Sequence, residues 1–304
     1  MAVGNAPYGP NQYNLAVDPG GGRTAGSAFK VFTLAAALEA GISPNAVYSG
    51  YSPKTIPNCG GGETWTLHNA EPVGGGSYPL WLATADSVNV VFAQVIDQIG
   101  PERVAEVAHK MGITTELAPV CPLTLGTSPV SPLDMTSGFA TLANDGVHCQ
   151  PYPIAQVVSS TGKTVFRQKP ECSRAIPAWV ARQETAMLEG VVEFGTGTAA
   201  NIGRPQAGKT GTGQDYQDAW YLGYVPQLAT GVWVGYARAE IPMPYVPGYG
   251  TGYGGVLAAP IWHDYMLLAT QNMPVEYFVP PSTGAAASST PSPTPSPTAS
   301  PWDE

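Results

Sequence analysis

Three strand-like runs lie close together towards the C-terminal end, at Gln206–Thr212, Asp218–Val225 and Leu228–Ala237. Runs so near each other leave no room for a crossover and are expected to pair as an antiparallel meander. A further run, Gln12–Val17, sits at the opposite end. Between them the chain reads as mostly helical. Apolar periodicity predicts helices at about Ser27–Ala40, Ser87–Ile99, Pro101–Met111, Pro132–Asn144, Pro177–Glu193 and Pro260–Thr270. The fourth has a defined start, with Ser131 as N-cap, Pro132 at the first helical position and Asp134 reaching back. Strands at both ends around a helical middle imply an α/β (α+β) class. One mainly antiparallel sheet, completed by both termini, would be backed by helices.

A separate hairpin is expected at Tyr152–Ser159 and Thr164–Gln168, turning at Ser160-Thr161-Gly162. Cys149 and Cys172 flank it, and a bridge at its open end is geometrically plausible. With Cys59 and Cys121 the four cysteines allow three pairings, and free buried thiols are the alternative. No CxxC pair occurs, so zinc-site spacings fail. A disulfide would imply an extracytoplasmic protein. Residues 1–281 read as one folded unit. From Ser282 to Glu304 repeated Ser/Thr-Pro cannot form a core and predicts a disordered, extended tail.

Charge narrows the partners. The 13 Lys and Arg against 22 Asp and Glu give a net charge of −9, which argues against a nucleic-acid backbone. No apolar run reaches the roughly 18–20 residues of a membrane span. No Lys/Arg-led apolar segment follows Met1, so the start does not read as a secretory signal.

Chemistry concentrates in three short motifs. Ser27-Ala28-Phe29-Lys30 opens an Ala/Leu-rich helix, and its ends, three apart, share one helical face. Ser87-Val88-Asn89 stands at the start of another helix. Lys209-Thr210-Gly211-Thr212 leads into the meander. Each alone is weak. Ser160–Lys163 also fits SxxK but lies in a turn, and Ser43-Pro44-Asn45 also fits SxN but is broken by Pro44. Bland readings exist for every member: Ser27 and Ser87 as helix N-caps, with Asp86 competing for the second, and both lysines as solvated surface charges. His68 and His263 read as structural, and Tyr245–Gly255 as a mobile loop. Gly203–Thr210 satisfies GxxxxGK[ST], yet no apolar strand precedes it and no helix follows, as phosphate binding by that loop requires.

The ordered set is characteristic of serine acyl-enzymes. Together with "SPLDMTSGFATLANDGV" (131–147), "GVVEFGTGTAA" (190–200), "AGKTGTGQDYQDAWYLGYVPQLATGVWVGY" (207–236) and "AAPIWHDYM" (258–266), the chain closely resembles the transpeptidase domain of class A, bifunctional, penicillin-binding proteins. The likeness covers roughly residues 1–275. Val31 stands where the family often has proline, and Ala28 where it often has threonine; neither position supplies chemistry. The resemblance implies the penicillin-binding transpeptidase / β-lactamase-like fold, with a helical subdomain beside the sheet. It also implies a glycosyltransferase domain and a membrane anchor upstream, and hence a longer, membrane-anchored cell-envelope protein.

The residues support an acyl-transfer reading on their own terms. A serine hydroxyl needs a base, and Lys30 is one turn from Ser27. Free lysine has a pKa of about 10.4, so burial and a second cation, Lys209, must lower it. The helix N-terminus adds a positive dipole. Ser87, bridging to Lys209, is suited to pass a proton to the leaving amine, and Asn89 to hold the substrate amide. Lys209, Thr210, Gly211 and Thr212 suit a terminal carboxylate. The N–H of Ser27 is one oxyanion donor, and by resemblance that of Thr212 is the other. The implied donor is a peptidoglycan stem peptide ending in D-Ala-D-Ala, the acceptor an amine on a neighbouring stem, and the inhibitors β-lactams. No metal or organic cofactor is implied. A β-lactamase would need a Glu to activate water, but Cys121–Asp134 contains none, and Glu116 lacks an Asn four residues on. A penicillin-sensing receptor domain and a D,D-carboxypeptidase share the same acylation motifs and are the rival readings.

Overall fold

The computed structural model describes residues 14–17, 22–59, 63–70, 74–236 and 239–281. The expected tail, 282–304, and Gln12 and Tyr13 of the first expected strand lie outside them. In chain order the elements are β1 (Arg23–Thr24), a 3-10 turn (Gly26–Phe29), α1 (Lys30–Glu39), β2 (Val47–Ser49), β3 (Lys54–Cys59), β4 (Glu63–Leu67), β5 (Ser77–Pro79), α2 (Leu80–Ala85), α3 (Asn89–Ile99) and α4 (Pro101–Lys110). There follow a 3-10 turn (Cys121–Leu125), β6 (Pro129–Val130), α5 (Pro132–Ala143), β7 (Val147–Cys149), β8 (Gln156–Val158), β9 (Thr164–Arg167), β10 (Cys172–Arg174) and α6 (Ala178–Glu193). The chain closes with β11 (Ala207–Thr212), β12 (Asp218–Val225), β13 (Leu228–Gly235) and α7 (Gly254–Thr270).

Alternation along β12 divides the interior. The expected meander forms as a three-stranded antiparallel sheet in the order β11-β12-β13. Side chains on a strand point alternately to its two faces. Trp220, Leu222 and Tyr224 therefore enter the main core, shared with α1, α5 and α6. Tyr221 and Val225 face the other way and pack on Ala258, Ala259, Trp262 and Met266 of α7. Each such large side chain contributes about 1.5–3 kcal/mol through burial. Helix α1 lies at the centre of the main core, buried at every position from Lys30 to Leu38. Its run of Ala35, Ala36 and Ala37 favours helix and admits α3, α4 and α6 at close range.

Several expectations change. Asn14–Val17 is a turn rather than a strand. The Asn14 side-chain oxygen accepts from Ala16 N–H and its carbonyl from Val17 N–H, a local alternative to a ladder. Among the described residues, then, no N-terminal strand completes the three-stranded sheet. Helix α7 starts at Gly254, six residues before Pro260, which sits inside it. The N–H that proline lacks leaves the Val256 carbonyl unpaired within the helix, and Val256 is exposed to water. Ser131 does cap α5 by accepting from Asp134 N–H at 3.0 Å, but the Asp134 carboxylate turns outward to hold Thr114 N–H and its hydroxyl. The 41–86 stretch, with no clear period, holds the β2–β5 and β3–β4 pairs and α2. The expected hairpin forms as β8–β9, shorter at both ends than its sequence signal.

Both cysteine pairs are disulfides. Cys149–Cys172 closes the open end of the β8–β9 hairpin, opposite each other in the β7–β10 ladder. Cys59–Cys121 ties the end of β3 to the 3-10 turn that packs against the turn carrying Ser27. Among the described residues no helix is long and apolar enough to cross a membrane.

Candidate active site

The first motif is built on a turn, not on the helix proper. Ser27 lies in the 3-10 turn Gly26–Phe29, where residues three apart are eclipsed, and its carbonyl accepts from the N–H of Lys30. No side-chain cap is made at that start, so the N-cap reading of Ser27 fails. Two glycines bring the turn against β11. Gly26 has φ +55°, and a Cβ there would collide with the Thr212 carbonyl. A Cβ on Gly211 would collide with the Ala25 carbonyl and come within 2.9 Å of the Ala28 methyl. Only glycine at both positions lets the turn carrying Ser27 and the strand touch.

The second motif ends one helix and starts the next. Asp86 is the C-cap of α2, and Ser87 follows in the left-handed region, at φ 57°. Its N–H reaches back to the Thr84 carbonyl and that of Val88 to the Ala83 carbonyl, as at a helix C-terminus. A non-glycine residue there costs about 1–2 kcal/mol. Val88, not Ser87, is the N-cap of α3, and it has no hydroxyl to cap with. That role falls to Asn69, whose Oδ1 accepts from Val90 N–H at 3.1 Å. Asn89, the first residue of α3, donates through Nδ2 to the His68 carbonyl at 3.0 Å. Sequence reading passed over Asn69 because this cap comes from 21 residues away.

These turns and β11 converge on one hydroxyl. Lys30 Nζ donates to Ser87 O at 2.7 Å, to Asn89 Oδ1 at 2.7 Å and to Ser87 Oγ at 3.2 Å. Lys209 Nζ donates to the same Ser87 Oγ at 2.8 Å and to Thr210 O at 3.3 Å. Ser27 Oγ donates to Asn89 Oδ1 at 3.5 Å, so Ser27 and Lys30 meet on that oxygen rather than directly. The Lys30 ammonium also lies 5.3 Å from the Phe92 ring centre, a cation–π contact. Both lysines are buried, against the surface reading. Burial first, and the neighbouring Lys209 charge second, hold the Lys30 amine well below the ordinary lysine range. Burial brings Lys209 down to about 7. Burial thus shifts both amines towards the neutral form, the form in which an amine can accept a proton.

Along β11 the polar groups alternate. Gly213 N–H donates to Asp218 O at 2.7 Å. By ladder alternation the N–H of Thr212, paired opposite Ala219, points away from β12 towards the free edge and the Ser27 turn. Thr212 Oγ1 accepts from Gly254 N–H, at the start of α7, which leaves its own proton to donate. The Thr210 and Thr196 hydroxyls bond each other at 2.7 Å. Tyr216 meets Tyr253, which belongs to the segment read as a mobile loop, edge-to-face at 5.1 Å beside this end of the strand. Lys209 and Thr210 lie in a strand, so the phosphate-loop reading fails. The grouping of metal-type side chains found among the described residues, Cys59, Asp97 and Cys121, contains the disulfide pair and offers no thiolate.

Residues 3–267 match the family described as the penicillin binding protein transpeptidase domain. The chain is 35% identical over 291 residues to penicillin-binding protein 1A of Aquifex aeolicus, covering 95% of this chain and 39% of that protein. To penicillin-binding protein 1A of Mycobacterium tuberculosis it is 31% identical over 294 residues, covering 89% of this chain and 35% of the relative. Its length is thus well under half that of these curated relatives. In three dimensions it resembles the PonA1 protein of Mycobacterium tuberculosis, solved in complex with penicillin V, with a TM-score of 0.79 at 30% identity over 90% of this chain and 75% of the other. The D,D-transpeptidase domain of a peptidoglycan glycosyltransferase from Eggerthella lenta matches with a TM-score of 0.65 at 28% identity, covering 85% of this chain and 68% of that one.

Proposed function

The chain belongs to the penicillin-binding protein transpeptidase family, and on that premise we propose that it is a serine D,D-transpeptidase that cross-links peptidoglycan stem peptides. Ser27 attacks the carbonyl of the penultimate D-Ala. Lys30, as a neutral amine, trades Asn89 Oδ1 for Ser27 Oγ and takes its proton. The N–H groups of Ser27 and Thr212 hold the developing oxyanion, each donor of this kind being worth about 2.7–4 kcal/mol. Ser87 delivers a proton to the departing D-Ala amine and is replenished by the ammonium groups bonded to its Oγ. The leaving carboxylate sits against Lys209, Thr210 and Thr212, beside Gly211, and Asn89 holds the donor amide. An amine on a second stem then attacks the acyl-enzyme, releasing Ser27 and forming the cross-link.

The observation that carries this reading is the sharing of Ser87 Oγ by two buried lysines, with Ser27 bonded to the same Asn89 as Lys30. β-Lactams imitate the donor and acylate Ser27. Cys121–Asp134 offers no glutamate to activate water, so the adduct is long-lived. Two disulfides fit a cell-envelope location outside the cytoplasm. The greater length of the relatives fits a membrane-anchored full protein with an upstream glycosyltransferase domain.

Intact-protein mass spectrometry with penicillin tests the reading. The wild type gains the mass of one penicillin and Ser27→Ala gains none. An equal adduct on Ser27→Ala, or none on folded wild type, overturns it. Incubation with a D-Ala-D-Ala donor and an amine acceptor separates a transpeptidase from a sensor or carboxypeptidase, since only the first yields the amide-linked product.

A further inference from the structure

The two backbone donors assigned to the oxyanion come from segments far apart in sequence, and something must fix the gap between them. We infer that Asp218 is a positioning residue that sets this gap, clamping the strand leading to Ser27 and the end of β11 onto the first residue of β12. The inference rests on the proposed role of Ser27.

Asp218 is 2% exposed and bonds in three directions. Its Oδ2 accepts from the Thr24 hydroxyl at 3.0 Å, three residues before Ser27. Its backbone oxygen accepts from Gly213 N–H at 2.7 Å, one residue after Thr212. Its Oδ1 accepts from Trp233 Nε1 at 2.7 Å, which anchors the carboxyl to β13. Trp220 Nε1 donates to the Thr24 carbonyl at 2.9 Å, so the hydroxyl and the carbonyl of Thr24 are both tied to β12. The fit leaves no slack: a Cβ on Gly213 would lie 2.9 Å from Thr24 Oγ1 and 3.1 Å from Asp218 Cβ. Ser27 itself touches none of these groups, so Asp218 acts only by placing the flanking backbone.

Asparagine can keep the geometry, its Nδ2 donating to Thr24 Oγ1 and its Oδ1 accepting from Trp233. Alanine cannot. A donor misplaced by about 1 Å costs on the order of 100-fold in rate. The test is stopped-flow acylation of the 304-residue chain by a fluorescent penicillin, resolving the acylation rate constant from the initial Kd. Affinity for a phenylboronic acid, which forms a tetrahedral adduct on Ser27, is measured alongside. In Asp218→Ala the acylation constant is expected to fall about 10- to 100-fold and boronate affinity to fall with it. The penicillin Kd is expected to stay within about two-fold, and Asp218→Asn to recover most of the loss. Thr24→Val, which removes one hydroxyl, serves if the alanine variant does not fold, with the same split expected at about 10-fold. An unchanged acylation constant, a loss carried by Kd, or an asparagine variant no better than alanine overturns the clamp alone. Folded wild type that takes no adduct overturns the role of Ser27 and the clamp together.

Discussion

Replacing Lys209 by methionine separates the two causes that lower the pKa of Lys30. Methionine fills a similar buried volume and leaves the desolvation of Lys30, the larger cause, in place. It removes the second cause, the neighbouring charge. The two Nζ atoms lie 3.2 and 2.8 Å from Ser87 Oγ, hence at most about 6 Å from each other. Unit charges at that spacing, with an effective dielectric of about 20, repel by about 3 kcal/mol. The sign is fixed: with the cation gone, Lys30 holds its proton to higher pH and is less often a base. The rising limb of the acylation profile should move to higher pH, and the lost repulsion makes the variant on the order of 100-fold slower at a given pH on that limb. Above the range where Lys209 itself is charged, near its own pKa of about 7, the profiles should draw together. What then persists is the lost hydrogen bond to Ser87. Stopped-flow acylation by a fluorescent penicillin from pH 5 to 10 reads the effect, with circular dichroism as the fold control. A rising limb that does not move refutes the coupling of the two lysines. A uniform loss at every pH assigns Lys209 to binding alone.

Other outcomes follow from single positions. Gly26→Ala forces a side chain into a left-handed residue against the Thr212 carbonyl. Acylation should fall on the order of 100-fold or more as the oxyanion gap is spread, with backbone strain of about 1–2 kcal/mol read as a lower melting temperature. Glu184 is buried in α6 with no hydrogen-bond partner for either carboxylate oxygen, and burial holds its carboxyl well above the usual range. The folded state therefore keeps a proton that the unfolded chain gives up at about pH 4.3. This contribution is whole below that pH and is lost as pH rises towards the folded value, at up to about 1.4 kcal/mol per pH unit. Calorimetry of Glu184→Gln against wild type should show melting temperatures that diverge in favour of glutamine between pH 5 and 8; parallel curves contradict it.

Legibility followed the range of each signal. Ser131 capping α5 is a three-residue event, and it was readable. So was the meander, because strands separated by short turns have few ways to pair. The convergence of Ser27, Lys30, Ser87, Asn89 and Lys209 was readable only as an ordered set, since nothing local to Lys209 says that it is buried. Signals acting over distance stayed hidden. Asn69 caps a helix it does not precede, and Cys59 pairs with a cysteine 62 residues away. Two local signals misled through competition. Pro260 looks like a helix start but sits six residues inside α7, and Asn14 bends its own backbone out of a strand. Ser87 looked like a cap because serine at a helix start usually is one. Its left-handed backbone shows it to be the end of the preceding helix instead.

That backbone has a consequence for anyone who sets out to toughen the protein. Glycine or asparagine would relax position 87, yet neither carries the hydroxyl to which both amines donate and which, in the proposed mechanism, passes on a proton. Selection for heat resistance alone would be drawn to such a replacement, and the winning variants would be sturdier and mute towards penicillin. At this one residue, durability and chemistry ask for different amino acids.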